Sequence, residues 1–243
     1  MLSDRERSAF EQRLRDAFAR EGAWQAAELR RLLGDPPDIG NVPDAWWATA
    51  DARLLDAISP IMLEMTIKSA GALGLQQGSV GAVDWSMVNA RAATWAQNYA
   101  GALVKGIDAT TQAGLQDAVS TFFKTPEMDL KTLGAQVGDM FGPARGDMIA
   151  VTEATRAAAE GEQALVDTIR LANPKVTVVG IFLTSRDEHV CTKICIPLNG
   201  VQDDGHGNFV NPLDGKVYRI PAHPFCRCGR GTVIAGLPTL GGL

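Results

Sequence analysis

The sequence predicts an α+β protein, with a mainly α-helical body reaching to about residue 172 and a small β-hairpin module at the C-terminus. Three observations predict it. Apolar residues recur by threes and fours over long segments up to Ala172, the helical period. At Val176 the chain turns β-branched, in "VTVVGIFL", and glycine-punctuated stretches follow. All four cysteines, Cys191, Cys195, Cys226 and Cys228, lie in two short stretches of that last region.

The first element spans Ser3 to Leu33. Ser3 and Glu6 form a capping-box signature, and Phe10, Leu14 and Phe18 fall on one helical face. The stretch "GDPPDIGNVP", with three prolines and two glycines, then reads as a linker or hinge. Residues 1–40 are therefore expected to form an N-terminal amphipathic segment plus linker that swings to meet a partner. Asp44 is placed to cap a helix carrying Trp46, Trp47, Leu54, Leu55 and Ile58, which Pro60 is expected to interrupt before it resumes through Leu75. A further helix runs from about Asp84 to Phe123, its Trp85, Val88, Ala92, Trp95, Tyr99 and Leu103 reading as core. Pro126 ends it, and a short helix follows from Asp129. The last helix starts near Pro143 and stops before Asn173-Pro174. Residues 41–172 thus form the helical body, and residues 173–243 a small β-rich Cys/His module. "DDGHGN" at 203–208 has too few spaced carboxylates for an EF-hand and reads as a turn.

At 243 residues and 46% hydrophobic content the chain can bury a sizeable core. Its longest apolar stretch is far short of the roughly 20 residues that span a bilayer, and the N-terminus is charged, so no membrane span and no secretion signal are expected. The net charge of −5 argues against a protein that coats nucleic acid. From Asn173 onward, however, seven Lys and Arg face five Asp and Glu, which leaves a weak DNA contact open to the C-terminal module.

Two thiol pairs flanking some thirty residues of hairpin suit a four-ligand zinc site that clips the module's ends together. His223, three residues before Cys226, is the first substitute for one thiolate, and His189 the second. The alternatives are two disulfides or four free thiols; without a secretion signal a reducing compartment is expected, which favours metal over disulfide. A reactive Cys226 beside Arg227 is disfavoured because a nucleophile needs a placed base. Asp187, Glu188 and His189 raise a zinc-dependent hydrolase or nuclease, but four thiolates close the shell that such an enzyme keeps open. A zinc-stabilised DNA-binding module is the third reading. Glu153 and Arg156 are expected to form an intrahelical ion pair worth about 0.2–0.5 kcal/mol, with docking of the tail onto that helix as the alternative.

The succession of "MIAVTEATRAAAEGE" (148–162), a strand, "TSRDEHVCTKICIPLNG" (184–200) and "IPAHPFCRC" (220–228) resembles the C-terminal region of the Mu F-like phage head morphogenesis proteins, also called minor head or minor capsid proteins. Thr152, Glu153, Asp187, Cys191, Cys195, Gly200, Pro221, His223, Pro224, Cys226, Arg227 and Cys228 match that pattern. The resemblance covers about residues 85 to 228 and is strongest in the last eighty. It implies a virion component rather than an enzyme: a protein made in the bacterial host cytoplasm, present in few copies, partnered by portal or capsid proteins, and acting in head assembly, DNA packaging or delivery.

Overall fold

A computed structural model describes residues 2–76, 83–185, 187 and 190–235. Among these, the body is built from α1 (Asp4–Leu33), a 3-10 turn (Ile39–Asn41), α2 (Asp44–Gln76), α3 (Trp85–Lys124), α4 (Leu130–Asp139) and α5 (Pro143–Ala172). The module that follows contains β1 (Thr177–Leu183), the single-turn α6 (Cys195–Leu198), β2 (Phe209–Val210), β3 (Val217–Tyr218) and β4 (Gly229–Ala235). The expected α+β division stands. No helix among the described residues is long and apolar enough to cross a membrane.

Helix starts follow local chemistry. Ser3 accepts the Glu6 N–H at 3.3 Å while the Glu6 carboxylate accepts the Ser3 N–H at 3.0 Å, which satisfies two otherwise orphaned donors. Asp84 caps α3 through the N–H groups of Ser86 and Met87, and Asp129 caps α4 through that of Thr132. Gly142 precedes Pro143 at the start of α5, where the missing proline N–H costs nothing.

Two details of the body differ from expectation. α2 runs unbroken through Pro60. Pro60 is exposed, as is Asp56 one turn earlier, so water can take up the carbonyl that the proline leaves unpaired. Trp85 is 43% exposed and is not core; its ring instead lies against Gly74, where an added Cβ would stand only 3.0 Å from it, and so packs the start of α3 on the end of α2.

α1 is part of the body. Phe10, Leu14, Ala17 and Phe18 share one apolar cluster with Leu54, Ile58, Met62 and Met65 of α2 and Ala150, Ala154 and Ala157 of α5. Leu29 and Leu33 enter a second cluster with Trp46, Leu115 and Val137. An apolar stripe buried along its whole length holds the segment in place, whatever freedom the prolines after it allow. That linker is itself ordered by Asp38, whose side chain accepts the Gly40 N–H at 2.8 Å.

In the module, β1 and β4 pair antiparallel from Thr177↔Ala235 to Leu183↔Gly229 and so close the module from its two ends. The hairpin proper, β2–β3, has two residues a side, with Phe209 opposite Tyr218. A compact core of Phe182, Cys195, Leu198, Phe209, Ile220, Cys226 and Cys228 lies between these sheets. Arg230, 4% exposed, pairs with Asp203 beneath the sheet and donates to Gln163 of α5 at 2.6 Å. Arg170 of α5 donates to the carbonyls of Val178 and Gly205, and together these contacts seat the module on α5.

Candidate metal centre

The cluster is assembled from two turns. In the first, the Cys191 carbonyl accepts the N–H groups of Cys195 (3.0 Å) and Ile196 (3.1 Å), which winds the chain into α6 and points Cys195 into the module core. Gly200 ends that turn at φ 82°, a left-handed conformation that favours glycine, and its N–H returns to the Phe182 carbonyl at 2.8 Å. In the second, the chain passes the half-buried Pro221, turns at His223 and Pro224, and straightens into β4. Burial then alternates from Cys226 to Arg230, so Cys226 and Cys228 face inward and Arg227 faces the opposite way.

Cys195, His223 and Cys226 bring one ligand atom each to within 4.8 Å of one another. The Cys195 Sγ lies 3.1 Å from His223 Nε2 and 3.9 Å from Cys226 Sγ. Metal–sulfur bonds of about 2.3 Å in a tetrahedron require an S–S edge of about 3.8 Å, so the two thiols stand at ligand spacing. They are too far apart for a disulfide, whose bond is about 2.05 Å, and all four cysteines are free thiols.

The surroundings suit ligation. His223 Nδ1 lies 2.7 Å from the Pro224 carbonyl, which can only accept, so the proton sits on Nδ1 and the Nε2 lone pair faces the thiols. Cys226 accepts hydrogen bonds from the Cys195 and Cys228 thiols and from the backbone N–H groups of Ala222 and Cys228, which hold it far below the ordinary thiol range. Cys195 is pushed up in turn, by its contact with Cys226 first, then Cys228, and then by burial. A divalent cation bound here would displace the thiol protons.

Of the other candidates that the sequence offers, Cys191 and Cys228 both stand outside the three-residue set; Cys228 is buried in the module core and Cys191 packs at its edge. Glu188 and His189 lie outside the described residues. Asp187 is placed 3.9 Å from Arg227. Thr152 on α5 accepts the Phe225 N–H at 2.8 Å, which brings the tail onto that helix. Glu153 forms the expected intrahelical ion pair with Arg156 at 3.2 Å; it is 5% exposed, and burial raises it above the usual carboxylate range.

Sequence reasoning missed Glu11. Arg227 grips it with two hydrogen bonds, of 2.9 and 3.2 Å, while Arg7 donates to the Arg227 carbonyl at 2.6 Å. A glutamate between Phe10 and Leu14 on a buried stripe was the available signal, since a charge there needs a partner.

Comparison with protein-family models, with curated proteins and with solved structures finds no match. Fold and site define a mainly helical α+β protein whose C-terminal module carries a buried Cys/His cluster able to hold a metal ion.

Proposed function

We propose that this protein is a structural minor head protein of a tailed-phage or prophage particle, associated with the portal or the head interior and acting in head assembly, DNA packaging or delivery. The reading rests on the motif that resembles the Mu F-like head morphogenesis proteins. One observation supports it: the motif's separated stretches meet in space. Thr152 holds the backbone of Phe225 at 2.8 Å, Asp187 stands 3.9 Å from Arg227, and His223 and Cys226 close on Cys195. Residues that serve a single docked tail explain why such a pattern would be spread over some eighty positions.

In this reading the protein is not an enzyme, and the Cys/His cluster holds a structural zinc ion that gives the small module the cohesion its few apolar residues do not. The partner surface lies on the outer faces of the helices, since the inner face of α1 is occupied by the body's own core. Quantitative mass spectrometry of purified particles tests the proposal, with co-purification of the portal protein as the companion measurement. Presence at a few copies per particle is the expected result. A chain absent from particles, or one that turns over DNA or peptide in a metal-dependent way, overturns it.

A further inference from the structure

We propose that the metal is held by Cys195, His223, Cys226 and Cys228 in a closed shell of three thiolates and one imidazole, and that Cys191 is not a ligand. The inference rests on the reading of the cluster as a metal centre and is independent of the head-protein assignment.

Cys195, His223 and Cys226 supply three corners of a tetrahedron. The question is what takes the fourth, because an open corner would bind water and make the site chemically active, whereas a protein ligand would close it. Two thiols are available. Cys228 is 2% exposed and sits two residues beyond Cys226 on the inward face of an extended chain, so both sulfurs project to the same side. It packs with both Cys195 and Cys226 in one buried cluster. Cys191 is only half-buried and packs at the edge of that cluster, and its backbone carbonyl starts the turn that delivers Cys195.

The donor set also selects the ion. Three thiolates and a neutral imidazole suit zinc and disfavour the hard, oxygen-seeking magnesium and calcium. Around a divalent ion the shell carries one net negative charge.

X-ray absorption on the full-length zinc-loaded protein, prepared under reducing conditions, counts the ligands without any substitution. Three sulfurs and one nitrogen are expected. Four sulfurs, or two sulfurs with two light atoms, overturn the assignment. Cobalt substitution then identifies the thiols, because sulfur-to-cobalt charge-transfer absorption scales with the number of bound thiolates. Cys191→Ser should retain the full wild-type intensity, and Cys228→Ser should lose about one third of it. The reverse pattern makes Cys191 the fourth ligand and sinks the proposal. Failure of the wild-type chain to bind zinc or cobalt at all refutes the metal reading itself, a result distinct from a wrong ligand set.

Discussion

Arg227 and Glu11 are 216 residues apart in the chain and meet through two hydrogen bonds of 2.9 and 3.2 Å. Arg227 reaches α1 because its neighbours on either side, Cys226 and Cys228, turn inward to the cluster. One short stretch therefore faces the module core with its two outer members and the helical body with the residue between them.

Glu11 is buried, and its remaining partner, Arg15, approaches only to 3.3 Å. Removing Arg227 leaves a buried carboxylate short of donors, a loss of about 1.5–3 kcal/mol for a charged hydrogen-bonded pair. Arg227→Ala should lower the urea midpoint accordingly, and Glu11→Gln should cost less, since the amide still accepts one bond without carrying an unpaired charge. Equal midpoints for Arg227→Ala and wild type would show that Arg15 alone satisfies Glu11.

A second prediction concerns how closely α2 and α5 approach. A Cβ at Gly161 would collide with the backbone carbonyl of Thr66 and meet the Ser69 side chain at 3.1 Å, so Gly161 is where the two helices cross in near backbone contact. Gly161→Ala gains helix propensity but must force the helices apart, at a cost of about 1–3 kcal/mol from overpacking. Thermal unfolding should show a lower Tm. An unchanged or higher Tm would mean the crossing is looser than described.

The pH dependence of stability has an identifiable source. Asp108 of α3 is 6% exposed, and burial first, then the charge of Asp51 on α2, push its carboxyl up to about 7. A carboxyl raised in the folded state holds its proton there while the unfolded chain has already lost it, so stability falls as pH climbs from about 4 to about 7 and stays low above. A shift of that size corresponds to at most about 4 kcal/mol, less if the site hydrates. Asp108→Asn should flatten this part of the profile and make the variant more stable than wild type at pH 8. Parallel profiles for the two proteins would remove Asp108 as the source.

Much of this architecture was legible in the sequence, and the pattern of what was not is physical. Ser3 with Glu6, Asp84, Asp129, Pro143 and Asn173-Pro174 mark helix ends through contacts with residues one to four places away, which a sequence displays directly. Pro60 misled because its effect depends on which face it occupies, and that face is set by packing. The cysteine pairs announced a cluster, since spacing alone brings thiols together on turns. His223 joins the set as its spacing from Cys226 suggested, but that Cys191 and Cys228 stand outside the three-residue set was not legible, because the turn at 220–226 and the winding of α6 aim the side chains. Glu11 and Arg227 share no local signal at all, only a buried charge in each stretch that sought a partner.

Loss of a cluster thiol should propagate to α1 by way of Arg227. Cys226 is 1% exposed and in contact with Cys195 and Cys228, so Cys226→Ser removes one corner of the cluster and one of the inward anchors beside Arg227. Metal binding to such a site is folding free energy for a module this small, so its loss should loosen residues 190–235 while α2, α3 and α5, which hold their own apolar clusters, remain formed. Far-UV circular dichroism should then stay close to wild type, bound zinc should fall from about one per chain to a small fraction, and limited proteolysis should cut within the module. Hydrogen exchange in the first turns of α1 should quicken together with the module, because the Arg227 guanidinium and carbonyl no longer meet Glu11 and Arg7. Exchange that rises in the module while α1 stays as protected as in wild type would show that the apolar stripe of Phe10, Leu14 and Phe18 alone keeps α1 in place, and that Arg227 carries no coupling between the cluster and the body.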